Sequence, residues 1–148
     1  MGLVNYMGIA VIVLILIPNI VYMIKSRNSA PAVWKNKTAE IFEGIGRFGC
    51  IAFMIVNVPH TWFGFWFLDG FPVFVIANAI LALAYIILWI VLWEKDCVFK
   101  ALALSIVPSM IFLVSGVLIL SVPLIVSAVM FAAAHILISY KSVKLRHG

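Results

Sequence analysis

The side chains that could carry chemistry are few. The chain holds three histidines (His60, His135, His147), two cysteines (Cys50, Cys97) and five carboxylates (Glu40, Glu43, Asp69, Glu94, Asp96). A histidine oriented by a carboxylate acts as a general base, and histidines with cysteines hold zinc. His60 and His135 each lie in a long apolar run, and neither has an evident carboxylate to orient it. No serine sits in a G-x-S-x-G turn, and there is no H-E-x-x-H. Gly44-Ile-Gly-Arg-Phe-Gly49 matches the G-x-G-x-x-G dinucleotide fingerprint. That motif works only behind a buried strand in a βαβ unit, whereas here a polar loop precedes it and an apolar run follows. Close helix packing through small residues is the better reading. No catalytic residue, metal or cofactor is expected.

What remains is a set of polar groups embedded in apolar sequence. In a bilayer such groups need partners, and they mark either a site or a cross-link between helices. Asn19, Ser105, Ser109 and His135 group into an inner layer, with Glu43 and Arg47 at its mouth. Asn57, His60, Thr61 and Asn78, joined by Ser115, form an outer layer. Both layers are candidate binding sites, and the plainer reading is that each cross-links helices at roughly 0.6–2 kcal/mol per hydrogen bond. Glu43 and Arg47 have the i, i+4 spacing of a helical ion pair. Pro18, Pro59 and Pro108 interrupt apolar runs and free carbonyls that a cavity-lining helix must re-satisfy. Leu16-Ile-Pro-Asn-Ile-Val resembles Ile106-Val-Pro-Ser-Met-Ile, the pattern an inverted repeat would leave.

The elements that must position these groups are membrane helices. Of 148 residues 66% are hydrophobic and 10% charged, against roughly 25% charged in soluble domains. A water-soluble fold this small could not hide that much apolar surface. A span needs about 20 apolar residues, and five are expected, near 3–24, 47–67, 71–93, 98–120 and 123–140. Lys25 and Arg27 follow the first run directly with no basic segment before it, so it reads as a retained helix. The break between the last two runs falls at Ser121-Val-Pro123, because proline suits a first helical turn. All ten Lys and Arg then fall on one side, which predicts a cytoplasmic C-terminus and an external N-terminus. Cys50 and Cys97 also fall near that side, where thiols stay reduced.

The chain reads as one all-α transmembrane bundle over 1–148, with a basic cytoplasmic loop at 25–46. Residues 28–32 read as a flexible turn, and 38–46 as a short interfacial helix capped by Thr38. Dispersed juxtamembrane charge gives no basic face for nucleic acid. Counted from the nearest boundary charge, Asn19 and His135 lie about 9 Å deep and His60 about 20 Å, too far apart in height for the histidines to share a metal.

Ile17-Pro-Asn-Ile-Val-Tyr-Met-Ile-Lys25, Glu43-Gly-Ile-Gly-Arg-Phe-Gly-Cys50 and Ala101-Leu-Ala-Leu-Ser-Ile-Val-Pro108 resemble a family of small five-helix integral membrane proteins of Gram-positive bacteria. The similarity covers most of the chain, including the His135 segment. It implies a multi-pass protein of a bacterial plasma membrane, and it carries over no functional residue because the family has no assigned activity. The expected function is a permease-like or small-ligand-binding protein with a polar crevice open to the cytoplasm. The alternative is an accessory, sensor or immunity-type protein that self-associates or packs against a larger membrane partner, and a membrane enzyme is third.

Overall fold

The computed structural model describes residues 2–25 and 34–148, so the turn expected at 28–32 lies outside the described residues. Among them the chain forms α1 (Tyr6–Lys25), α2 (Lys37–Ile55), α3 (Gly70–Val91), α4 (Val98–Leu118) and α5 (Val122–His147), and no strand beyond two isolated bridges. Four of the five, α1, α3, α4 and α5, are long and apolar enough to cross a membrane.

The second element departs most from expectation. The interfacial helix and the second span are one helix, and it stops at Ile55 instead of running to residue 67. Its cap is Asn36, not Thr38: the Asn36 carboxamide oxygen accepts from the Thr38 and Ala39 amides at 3.1 and 3.2 Å. It carries Lys37, Glu40, Glu43 and Arg47, which sets it apart from its apolar neighbours. Pro59 does not kink a helix but follows the end of one. Val58 precedes it and is pushed toward extended backbone, and Val56 is already extended and bridged to Val4. Beyond it His60 and Gly64 take positive φ, 67° and 83°. Residues 56–69 are therefore an irregular segment. At the other end of the chain, α5 runs through the charges expected to lie beyond it, to His147.

The helices close into a ring in the order α1, α2, α5, α4, α3, each packed on the next and α3 returning to α1. Gly46 and Gly49 make the α2–α5 contact close. A Cβ on Gly46 would meet the Phe131 backbone nitrogen at 2.5 Å, and one on Gly49 would meet the Ser127 hydroxyl at 2.4 Å. Gly44, the first glycine of the motif, faces open space. Gly8 makes the α1–α2 contact close, since a Cβ there would strike the Met54 carbonyl at 2.1 Å.

The two ends of the ring differ. At one, the 56–69 segment is stitched across the opening. The Asn5 amide donates to the Ile55 carbonyl at 2.7 Å, Asn57 donates to the Gly2 and Leu3 carbonyls at 2.9 Å, and Val122 donates to Thr61 at 3.1 Å. The Trp66 indole donates to the Val117 carbonyl at 2.6 Å. The other end carries the charged residues of the α3–α4 turn and the end of α5, and there the ring opens into a cavity.

Candidate functional site

His135 projects from α5 one turn beyond Phe131, and the rings stack at 4.7 Å with an interplanar angle of 17°. Its Nδ1 lies 2.9 Å from the Glu43 Oε1 on α2. A carboxylate only accepts, so the imidazole donates through Nδ1, and Nε2 is left as the ring's second polar atom. Arg47, one turn along α2, also donates to Glu43 Oε1. Glu43 thus joins a guanidinium and an imidazole across the α2–α5 seam. The histidine that lacked a carboxylate in its own segment has one supplied by the neighbouring helix.

Two cavities meet at this histidine. The smaller, about 230 Å³, sits inside the ring and takes wall residues from all five helices: Asn19, Arg47, Tyr85, Pro108, Phe131 and His135 among them. Its remaining wall is mostly aliphatic, from Ile12, Ile15, Leu16 and Ile51. The larger, about 500 Å³, opens at the charged end between the α3–α4 turn and α5, and is lined by Tyr22, Trp89, Trp93, Lys100, Ser105 and Ser139 with Asn19 and His135. Asn19 and His135 belong to both. Asn19 is held there from two sides: its amide donates to the Ile15 carbonyl at 3.0 Å, and its oxygen accepts from the Tyr85 hydroxyl at 3.0 Å.

Most of the inner layer therefore converges. Asn19, Ser105 and His135 line the outer chamber, Arg47 joins Asn19 and His135 on the inner one, and Glu43 orients the last. Ser105 and Ser109 are buried and spend their hydroxyls on their own helix, donating to the Ala101 and Ser105 carbonyls at 2.6 and 2.7 Å, and Ser109 lines neither cavity.

The outer layer does not converge. Asn78 and Ser115 form a buried cross-link, the serine hydroxyl donating to the Asn78 oxygen at 2.8 Å. Asn57 ties the irregular segment to the N-terminus, Thr61 donates to the Val58 carbonyl within a turn at 3.0 Å, and His60 is exposed outside any helix. Asn57, Thr61, Asn78 and Ser115 hold helices and a loop together, and none of the five residues lines either cavity.

Sequence reasoning missed the aromatic wall. Tyr85, Trp89 and Trp93 recur every four residues and so face one way, and Tyr22 closes on them with ring centroids 5.0 Å from Trp89 and 6.0 Å from Trp93. That spacing was the available signal. Among the described residues no cluster of His, Cys, Asp and Glu could hold a metal, and both cysteines are free thiols. No family model, no curated protein and no solved structure matches the chain.

Proposed function

We propose that this is a permease-like or small-ligand-binding protein of a bacterial plasma membrane, with five spans, an external N-terminus and a polar crevice open to the cytoplasm. The observation that carries the reading is the pair of cavities that share Asn19 and His135 inside a closed five-helix ring. Groups that serve only as glue end on one another, as Asn78 and Ser115 do. Asn19 and His135 are likewise held, by Tyr85 and Glu43, but unlike that pair they line both cavities, and a side chain oriented at a cavity wall is how a binding residue is held. On this reading α2 is the second span, its charged first half lying at the cytoplasmic boundary and its apolar second half in the core. The basic residues among those described then lie toward the open end, as the positive-inside rule requires.

The test is a thermal-shift screen of small polar molecules on the purified protein in detergent, run beside His135→Ala. A ligand at 100 times its Kd stabilises by about 2.7 kcal/mol. In His135→Ala the Glu43–Arg47 pair survives, so the variant melts within a few degrees of the parent and loses the ligand shift. A large fall in melting temperature, with no ligand found for the parent, would leave His135 as helix packing and favour the accessory-protein reading. That second reading draws on an apolar groove of about 550 Å³ between the start of α2 and α5, lined by Phe42, Val129, Met130 and Leu137, which a second copy or a larger membrane partner would fill.

A further inference from the structure

The outer chamber holds an ammonium group of the protein's own. Lys100 Nζ sits 5.1 Å above the Tyr22 ring and 5.6 Å above the Trp89 ring, and donates to the Trp93 carbonyl at 2.9 Å. The three rings lie 5.0 to 6.0 Å from one another, so they form a box and not a row. Aromatic faces and a carbonyl oxygen present negative potential. The Tyr22 and Trp89 faces and the Trp93 carbonyl present it to Lys100, while the Trp93 face carries Lys25 Nζ at 5.3 Å. Such a wall selects a cation. The lysine comes to it from an unfavourable place: Lys100 is in the first turn of α4, where the helix dipole repels positive charge. The Tyr22 and Trp89 faces, the Trp93 carbonyl and the nearby Asp96 carboxylate hold the ammonium there.

We propose that the Tyr22 and Trp89 rings and the Trp93 carbonyl form a binding site for a small organic ammonium, which Lys100 occupies as a tethered stand-in until ligand displaces it. The inference rests on the crevice reading and names its ligand class. The carbonyl acceptor favours a primary ammonium, which keeps the hydrogen bond that Lys100 makes, over a quaternary one, which has no N–H to give. The chamber around the box is large enough for the lysine stem to swing aside, and that stem is only partly buried. Asn19 and His135 line the same chamber and are placed to meet a polar group at the far end of such a ligand.

The probe is n-butylammonium, which reproduces the Lys100 side chain, with butyrate as the same chain bearing the opposite charge. Tryptophan fluorescence and melting temperature are followed on the full chain in detergent, for the parent, Lys100→Met and Trp89→Leu. Lys100→Met keeps an apolar stem and vacates the box. The expected result is a saturable response to n-butylammonium in the parent, at least tenfold tighter in Lys100→Met, absent in Trp89→Leu, and absent with butyrate throughout. No saturable response in a folded Lys100→Met overturns the proposal. So does a response confined to Lys100→Met, which would make the lysine a permanent part of the wall, and so does an equal response to butyrate. In the same detergent, Ser139→Cys made on a Cys97→Ser background is treated with a small thiosulfonate, since Cys97 lines the same chamber. A reactive Ser139→Cys beside a failed ammonium titration leaves the crevice standing without its ligand class, and an unreactive one removes the crevice as well.

Discussion

At the scale of single residues, the decisive contact is Glu43 with His135, between positions 92 apart in the chain. The Glu43–Arg47 spacing announces a pair because one helix turn separates the two. The third member could not be read the same way, since only closure of α2 onto α5 brings it near. An exposed i, i+4 pair contributes a few tenths of a kcal/mol. Glu43 is in a different position: its side chain is 14% exposed and satisfies two partners. Glu43→Gln weakens both contacts together, and about 1–2 kcal/mol of stability should be lost, a drop of several degrees in a detergent melt. Glu40→Gln, one turn earlier and exposed, is the comparison and should move the melt by less than a degree. Equal melts for the two variants would show that Glu43 holds nothing. Asn19 and His135 were legible as partners in depth, because both follow from helical rise and boundary charge alone. Their sharing of two cavities was not, because depth does not say which way a side chain points round a ring.

At the scale of elements, α1, α3, α4 and α5 lie within a few residues of the apolar runs that announce them, apart from the extra turns of α5. Hydropathy failed at α2 for an identifiable reason. An apolar window registers Val56-Asn-Val-Pro59 as membrane sequence, but a β-branched residue before proline favours extended backbone, and the helix ends there. The glycines that invite a nucleotide-binding reading do a packing task instead, and they do not share it equally. Gly46→Ala drives a methyl into the Phe131 backbone, which cannot retreat without moving α5, so the α2–α5 seam should part and the variant should lose several kcal/mol or fail to fold. Gly44→Ala meets open space and should be neutral or slightly stabilising, since alanine favours helix by about 1 kcal/mol. Fluorescence-detected size exclusion separates the outcomes: a monodisperse, stable Gly46→Ala would mean the two helices are not in close contact.

At the scale of the molecule, the asymmetry of the ring matters most. One end is closed by residues 56–69, pinned to the N-terminus and to the α4–α5 turn, while the charged end opens onto Asn19 and His135. A passage closed on one side and open on the other is what a binding protein or one state of a carrier requires. The distribution of lysine and arginine is what predicts the orientation. The closure was not legible, because the segment responsible looked like the second half of a span. The most direct test takes Cys97→Ser as background, with Cys50 fully buried and silent, and introduces Ser139→Cys in the crevice wall or Asp69→Cys at the closed end. A charged, membrane-impermeant thiosulfonate is applied to intact cells and to inverted vesicles. The account predicts that Ser139→Cys reacts only in inverted vesicles and Asp69→Cys only in intact cells. Reaction of Ser139→Cys from the outside, or from neither side, would contradict a crevice open to the cytoplasm.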